Sequence, residues 1–160
     1  MKMEDAGMTK RDYIFAAIHI LSIKLQVLGD KIDPTISSKQ WFVLAVVWRL
    51  KEIPPNIGDV ANALGTSRQN IKKMANILQR RGFLRMEKNK DDLRNIQLFL
   101  TEQCKEYFEN REQLENNYIE SVFSGMDDEL LSALYNGMSK LLDNVEKLLE
   151  GDADAERTKT

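Results

Sequence analysis

The sequence predicts a mainly α-helical chain in which one short β-hairpin interrupts a series of helices, and three observations carry that prediction. Apolar residues recur at helical spacing through most of the 160 residues. Only the region from Phe83 to Leu100 alternates apolar and polar residues with a period of two. Between the periodic segments stand Gly29 with Pro34, Pro54 with Pro55, Gly65, Gly82 and Gly125, the residue types that end helices and form turns.

Thr9 or Asp12 opens the first helix, which runs to about Asp30 with Tyr13, Ile14, Ala17, Ile18, Leu21, Lys24, Leu25 and Leu28 at helical spacing and one face strongly apolar. Phe15 and His19 lie beside that stripe, where they border a cavity, or simply pack or lie exposed on the surface. Gly29 and Pro34 end the segment. Ser37 and Ser38 offer caps for a second helix, and Ser37 with Gln40 has capping-box spacing. Its run from Trp41 to Leu50 is apolar nearly all round, which requires burial on more than one side. Trp41 and Trp48 fall two turns apart on one face, suited to a core or to the lining of a ligand pocket.

Asn56 caps a third helix through the backbone N–H of Asp59, whose carboxylate suits the positive first turn. Ala61, Gly65 and Ile71 stand at the separations of a helix-turn-helix, with Val60, Leu64, Thr66 and Met74 packing between the helices. Gly65 takes the left-handed turn conformation without steric cost. Thr66 or Ser67 caps a fourth helix, from about Arg68 to Arg81, with Ile71, Met74, Ala75 and Leu78 as its apolar stripe and Gly82 as its stop. Ser67, Arg68, Gln69, Asn70, Lys72, Lys73 and Asn76 make up its start and its opposite face. These side-chain types reach phosphates and base edges: Arg and Lys donate to guanine, Asn and Gln pair with adenine, and a helix fits the major groove. A solvated amphipathic helix has the same look, and the turn spacing favours the reader.

Two segments, Phe83 to Glu87 and Asn95 to Leu100, then form a hairpin through the polar loop Lys88 to Arg94. A helix-turn-helix followed by a hairpin is a winged helix, whose loop tip can reach the minor groove. The run Leu78-Gln79-Arg80-Arg81-Gly82-Phe83-Leu84, then Asp92-Leu93-Arg94, then Leu100-Thr101 resembles the MarR family of bacterial transcriptional regulators, as does the earlier Ser38-Lys39-Gln40-Trp41 with Leu44 and Val47. The resemblance covers about Thr35 to Thr101. It implies that Arg94 enters the minor groove, that Asp92 orients it or its neighbours, and that the partners are double-stranded DNA, a second copy of the chain and a small aromatic or phenolic effector. Lys88 and Lys90 join the DNA contacts on the wing. Asn70 and Lys72 depart from the small hydroxyl residues frequent in the family, a difference that concerns the operator sequence. Phe15, His19, Trp41 and Trp48 are the candidate effector pocket.

Thr101 caps a further helix, to about Ser124, with Cys104, Tyr107, Phe108, Arg111, Leu114, Tyr118 and Val122 along one side. Gly125 punctuates and Asp127 caps a last helix to about Leu149, apolar at Leu130, Leu131, Leu134, Met138, Leu141, Leu142, Val145, Leu148 and Leu149. Gly151 to Thr160 reads as a polar, disordered tail. The domain reading is therefore a dimerisation helix at 1–34, a winged-helix lobe at 35–101, dimerisation helices at 102–150 and a tail at 151–160.

Net charge is −2, and its distribution says more than its sum. From Ser67 to Arg94 nine Lys/Arg face three acids, a local +6 that leaves −8 to the remainder. A basic segment within an acidic chain is what a DNA-binding lobe on a non-binding body looks like. One histidine, one cysteine, and neither a phosphate loop nor a metal-ligand cluster argue against an enzyme or a bound cofactor. Cys104, being alone, forms no internal disulfide and reads as a small buried hydrophobe rather than a redox sensor. Met1 to Lys10 lacks the apolar core of a signal peptide, and no apolar run is expected to span a membrane, so the expected compartment is the cytoplasm. The functional expectation is a ligand-responsive homodimeric regulator on a palindromic operator; the alternative is a winged-helix adaptor or architectural protein without ligand response.

Overall fold

The computed structural model describes residues 7–89, 92 and 95–157, apart from the side chains of 150 and 152–157. Helix α1 spans Lys10–Ile32 and starts at a reciprocal cap: the Thr9 hydroxyl accepts from the Asp12 N–H at 3.2 Å while the Asp12 carboxylate accepts from the Thr9 N–H at 3.0 Å. Helix α2 spans Ser38–Arg49 behind the expected Ser37–Gln40 box. Helices α3 and α4 span Ile57–Ala63 and Arg68–Arg80. Strands β1 (Leu84–Lys88) and β2 (Ile96–Leu100) pair antiparallel, Leu84 opposite Leu100 and Lys88 opposite Ile96. Helices α5 and α6 span Glu102–Val122 and Asp128–Arg157.

The chain divides into two compact units, residues 1–110 and 111–160, with the boundary inside α5. In the first unit, α1 joins the lobe because its last turns dock on the start of α2. The Ser38 hydroxyl donates to the Gln26 carbonyl at 3.1 Å, and the Ser38 N–H donates to Asp30 at 2.6 Å. Gly29, expected to end the helix, lies inside it and serves this approach: a Cβ there would come within 2.5 Å of Ser38 Oγ. The core of the unit gathers Val43, Leu44 and Val47 of α2, Val60 and Ala61 of α3, Ile71, Ala75 and Leu78 of α4, Leu84 and Leu98 of the hairpin, and Cys104 of α5. Helix α2 is thus the central element, as its composition requires, although Phe42 and Trp48 remain exposed.

Two expectations need correction. No membrane-length run was anticipated, yet α1 is long and apolar enough to cross a membrane by length and composition, with a mean hydropathy of 1.3 over its most apolar window. The reason is that Lys24 carries the sole charge between Tyr13 and Gly29, and the polar Ser22 and Gln26 dilute the run less than a charge does. One such helix near the N-terminus is weak ground for a membrane span. The supposed tail from Gly151 continues α6 as far as Arg157. Ala153, Ala155, Glu156 and Arg157 favour helix and no proline intervenes, so the single Gly151 costs only about 1 kcal/mol against alanine and does not stop it.

Candidate nucleic-acid interface

The reader is assembled from local hydrogen bonds. Asn56 Oδ1 accepts from the N–H groups of Gly58 at 2.6 Å and Asp59 at 3.0 Å, and the Asp59 carboxylate accepts from the Asn56 N–H at 2.8 Å, so both ends of the box close. Gly65 turns the chain at φ +59°, in the left-handed region where a Cβ is strained. Of the two candidate caps, Ser67 is the one used: its hydroxyl accepts from the Asn70 N–H at 3.2 Å. Ile71, Ala75 and Leu78 are buried with Met74 half-buried beside them, which turns the polar row outward.

On that outer face Arg68, Gln69, Asn70, Lys72 and Lys73 are exposed, and Asn76 is half-buried. Two of these side chains are already directed. The Asn70 amide donates to the Thr66 hydroxyl at 3.3 Å, and the Arg68 guanidinium lies over Gly58, where an added Cβ would stand 3.2 Å from its Nε. Lys72 and Lys73 point to solvent from the middle of α4. Together with the N-terminal end of the helix dipole, they make this a positive, donor-rich surface suited to a nucleic-acid backbone.

On the wing, Lys88 is exposed at the last pair of the ladder. The loop beyond it closes through Asn89 N–H to the Asn95 carbonyl at 2.8 Å and Asn95 N–H to the Asp92 carbonyl at 2.9 Å, and Asp92 is exposed. Lys90 and Arg94 lie outside the described residues. A third extended segment completes the wing: the Leu98 N–H donates to the Pro55 carbonyl at 2.9 Å, and Asn56 bridges Gln97. In the sequence Pro54 and Pro55 mark only a helix break. A proline still offers its carbonyl, so the segment pairs along that edge.

The four candidate pocket residues are not brought together. Phe15 and His19 touch each other on α1, with ring centroids 4.8 Å apart and the His19 Nδ1 2.9 Å from the Phe15 carbonyl oxygen. Trp41 packs edge-on to Phe42 at 5.1 Å and against the core. Trp48 lines a cleft at the far end of α2 whose lining includes none of the other three.

Sequence reasoning missed the joint at the base of the reader. Arg81, counted with the basic segment, donates through Nη1 to the Thr35 carbonyl in the α1–α2 linker. In the same linker Asp33 is buried, accepting from the Thr35 N–H at 2.6 Å and from the Tyr107 hydroxyl of α5. Tyr107 in turn packs on Phe83 at 4.9 Å. No spacing rule announces partners this far apart in the chain. Cys104 is fully buried, and desolvation pushes its thiol up to about 12, as a buried hydrophobe rather than a reactive sensor requires.

Helix, glycine turn, basic helix and a hairpin edged by a third extended segment define a winged helix-turn-helix protein. Residues 36–96 match the family model described as MarR family. Among solved structures, the MarR protein from Peptoclostridium difficile is 23% identical with a TM-score of 0.75, covering 92% of each chain. The S. aureus MepR–DNA complex is 16% identical with a TM-score of 0.74, covering 86% of this chain and 99% of that one. The PcaV transcriptional regulator from Streptomyces coelicolor in complex with its natural ligand is 16% identical with a TM-score of 0.73, covering 87% and 98%. At these identities the likeness is one of fold. No curated protein matches the chain.

Proposed function

We propose that this protein is a cytoplasmic transcriptional regulator, not an enzyme, that binds a palindromic operator as a homodimer and responds to a small aromatic or phenolic effector. The observation that carries the reading is the outward row of Arg68, Gln69, Asn70, Lys72 and Lys73 on a helix capped by Ser67 and followed by a wing. The N-terminal residues of α4 read base edges, Lys72 and Lys73 hold phosphates, and Lys88, Lys90, Asp92 and Arg94 serve the wing. MepR, of the same fold, is described in complex with DNA, and PcaV with its natural ligand, which supports the DNA and effector parts.

The homodimer part of the reading is supported by uncovered apolar surface. Helix α1 has no buried residue, and along α6 Leu130, Leu134, Leu141, Leu142, Leu148 and Leu149 are exposed. Apolar patches on this scale mark an interface. A dyad through these helices sets two readers on half-sites about 10 bp apart, and an effector that changes their spacing changes DNA affinity.

The test is fluorescence anisotropy on the promoter DNA beside the protein's own gene and on shuffled DNA, across a salt series. A regulator binds the palindrome far more tightly than the shuffle, and Arg68→Ala or Asn70→Ala costs about 1–3 kcal/mol on the cognate site alone. Salt-dependent but sequence-blind binding would mark an architectural protein instead.

A further inference from the structure

Asn70 sits in the exposed first turn of α4, where its backbone N–H donates to the Ser67 hydroxyl at 3.2 Å. When a helix lies in the major groove, its N-terminal residues are the ones that meet base edges. The Asn70 side chain is already engaged: its Nδ2 donates to the Thr66 hydroxyl, one turn back, at 3.3 Å. Thr66 is available for this contact because Ser67, and not Thr66, caps α4. The Thr66 backbone is fixed separately, its N–H donating to the Ala61 carbonyl at 2.9 Å, and its side chain is half-buried. Among the described residues the Thr66 hydroxyl has Asn70 as its one side-chain partner.

That contact changes what Asn70 can recognise. An asparagine amide carries one carbonyl oxygen and two N–H groups. With one N–H on Thr66, one acceptor and one donor remain. Adenine presents the matching pair in the major groove, N7 as acceptor and the N6 amino group as donor. Guanine presents two acceptors there, N7 and O6, and calls for two donors; thymine and cytosine offer a single polar group each. An asparagine with both N–H groups available can turn them towards guanine, whereas one held by Thr66 has a single N–H to give. Its carbonyl oxygen then faces guanine O6 with no proton between them, and an acceptor left unpaired in an interface costs affinity.

We propose that Asn70 reads an adenine in each half-site and that Thr66 is the positioning residue which, acting through Asn70, makes it choose adenine over guanine. The inference rests on the DNA-reading function proposed above and adds the identity of one base to it. Asn70 departs from the small hydroxyl residues frequent in the family, so this choice belongs to the chain rather than to the fold.

The test selects a preferred site from DNA with randomised half-sites, using the unmodified full chain. Each adenine of that site is then changed to guanine in both half-sites, and affinity is followed by fluorescence anisotropy. One adenine should stand out, its replacement weakening binding by about tenfold or more, as the loss of a bidentate pair does. In Asn70→Ala the same replacement should matter by less than about threefold, because the reader of that base is gone. Thr66→Val keeps the branched shape and removes the hydroxyl, and it should bring the adenine-to-guanine affinity ratio at that position below about threefold. Thr66→Ser keeps the hydroxyl and should hold the ratio at about tenfold or more. A ratio taken on one preparation does not depend on how much of the protein is folded, so a destabilised variant still gives an answer. Failure to select any sequence overturns the DNA reader and this inference with it. A selected site in which no adenine depends on Asn70, an unchanged ratio in Thr66→Val, or a ratio lost in Thr66→Ser as well overturns this inference alone.

Discussion

The reader and the outer helices are built from similar apolar residues and treat them in opposite ways. In α3, α4 and the hairpin, Val60, Ile71, Leu78, Leu84 and Leu98 are all at or below 2% exposure, so one chain closes this core by itself. Helix α1 buries nothing, and Leu148 in α6 is 71% exposed. A hydrophobic face is stabilising only when something covers it. The contrast teaches that the reader closes its core within one chain, whereas α1 and α6 leave apolar surface exposed, the surface on which the proposed homodimer rests.

The largest effect that sharpens this contrast is expected from Leu134→Glu in α6. Leu134 is exposed in the single chain, and the variant should sediment as a monomer at low micromolar concentration and lose DNA binding, because a buried unpaired carboxylate is not tolerated in the proposed interface. A variant that remains dimeric would remove α6 from that interface. Next comes Leu78→Ala in α4, which opens a cavity in the closed core and should lower the free energy of unfolding in urea by about 2–5 kcal/mol. A loss below 1 kcal/mol would mean that the reader is looser than its burial indicates.

A finer split runs within the basic segment itself. Lys72 is exposed on the reading face, whereas Arg81 is tied to the Thr35 carbonyl. In a salt series on operator DNA, Lys72→Gln should therefore reduce the slope of log affinity against log salt by about 0.9, the release expected for one phosphate contact. Arg81→Gln should leave the slope unchanged and shift affinity only through the placement of α4. Equal slope changes in the two variants would make Arg81 a phosphate contact.

The smallest effect concerns Cys104. Its folded thiol titrates at about 12 against an ordinary 9.0, so the folded state holds its proton where the unfolded state has released it. The stability that goes with this is fully present below pH 9 and is lost as pH rises from about 9 towards 12. Urea melts should show Cys104→Ala with a flatter decline over that window than the unmodified protein. A parallel decline in both would exclude the thiol as its source.

What was legible in the sequence is what rests on neighbours three or four residues apart. The Ser37–Gln40 box, the Asn56 cap, the choice of Thr66 or Ser67 before α4, Gly65 in the left-handed turn and the stripe Ile71, Ala75, Leu78 are all statements about one turn of backbone, and spacing determines them. The hairpin was legible too, shifted by one residue, because alternation specifies a face more sharply than an end. Tertiary structure alone decided that Gly29 admits Ser38, that Pro55 offers its carbonyl to Leu98, that Arg81 serves Thr35 across 46 residues, and that Tyr107 reaches Asp33 across 74. It also separated Trp48 from the other three candidate pocket residues and set it beside Lys51 and Phe99. These pairings depend on how helices cross and how closely they approach. A helix repeats its own spacing along the chain, but the side chain that meets it from another element is chosen by packing, which no local pattern encodes.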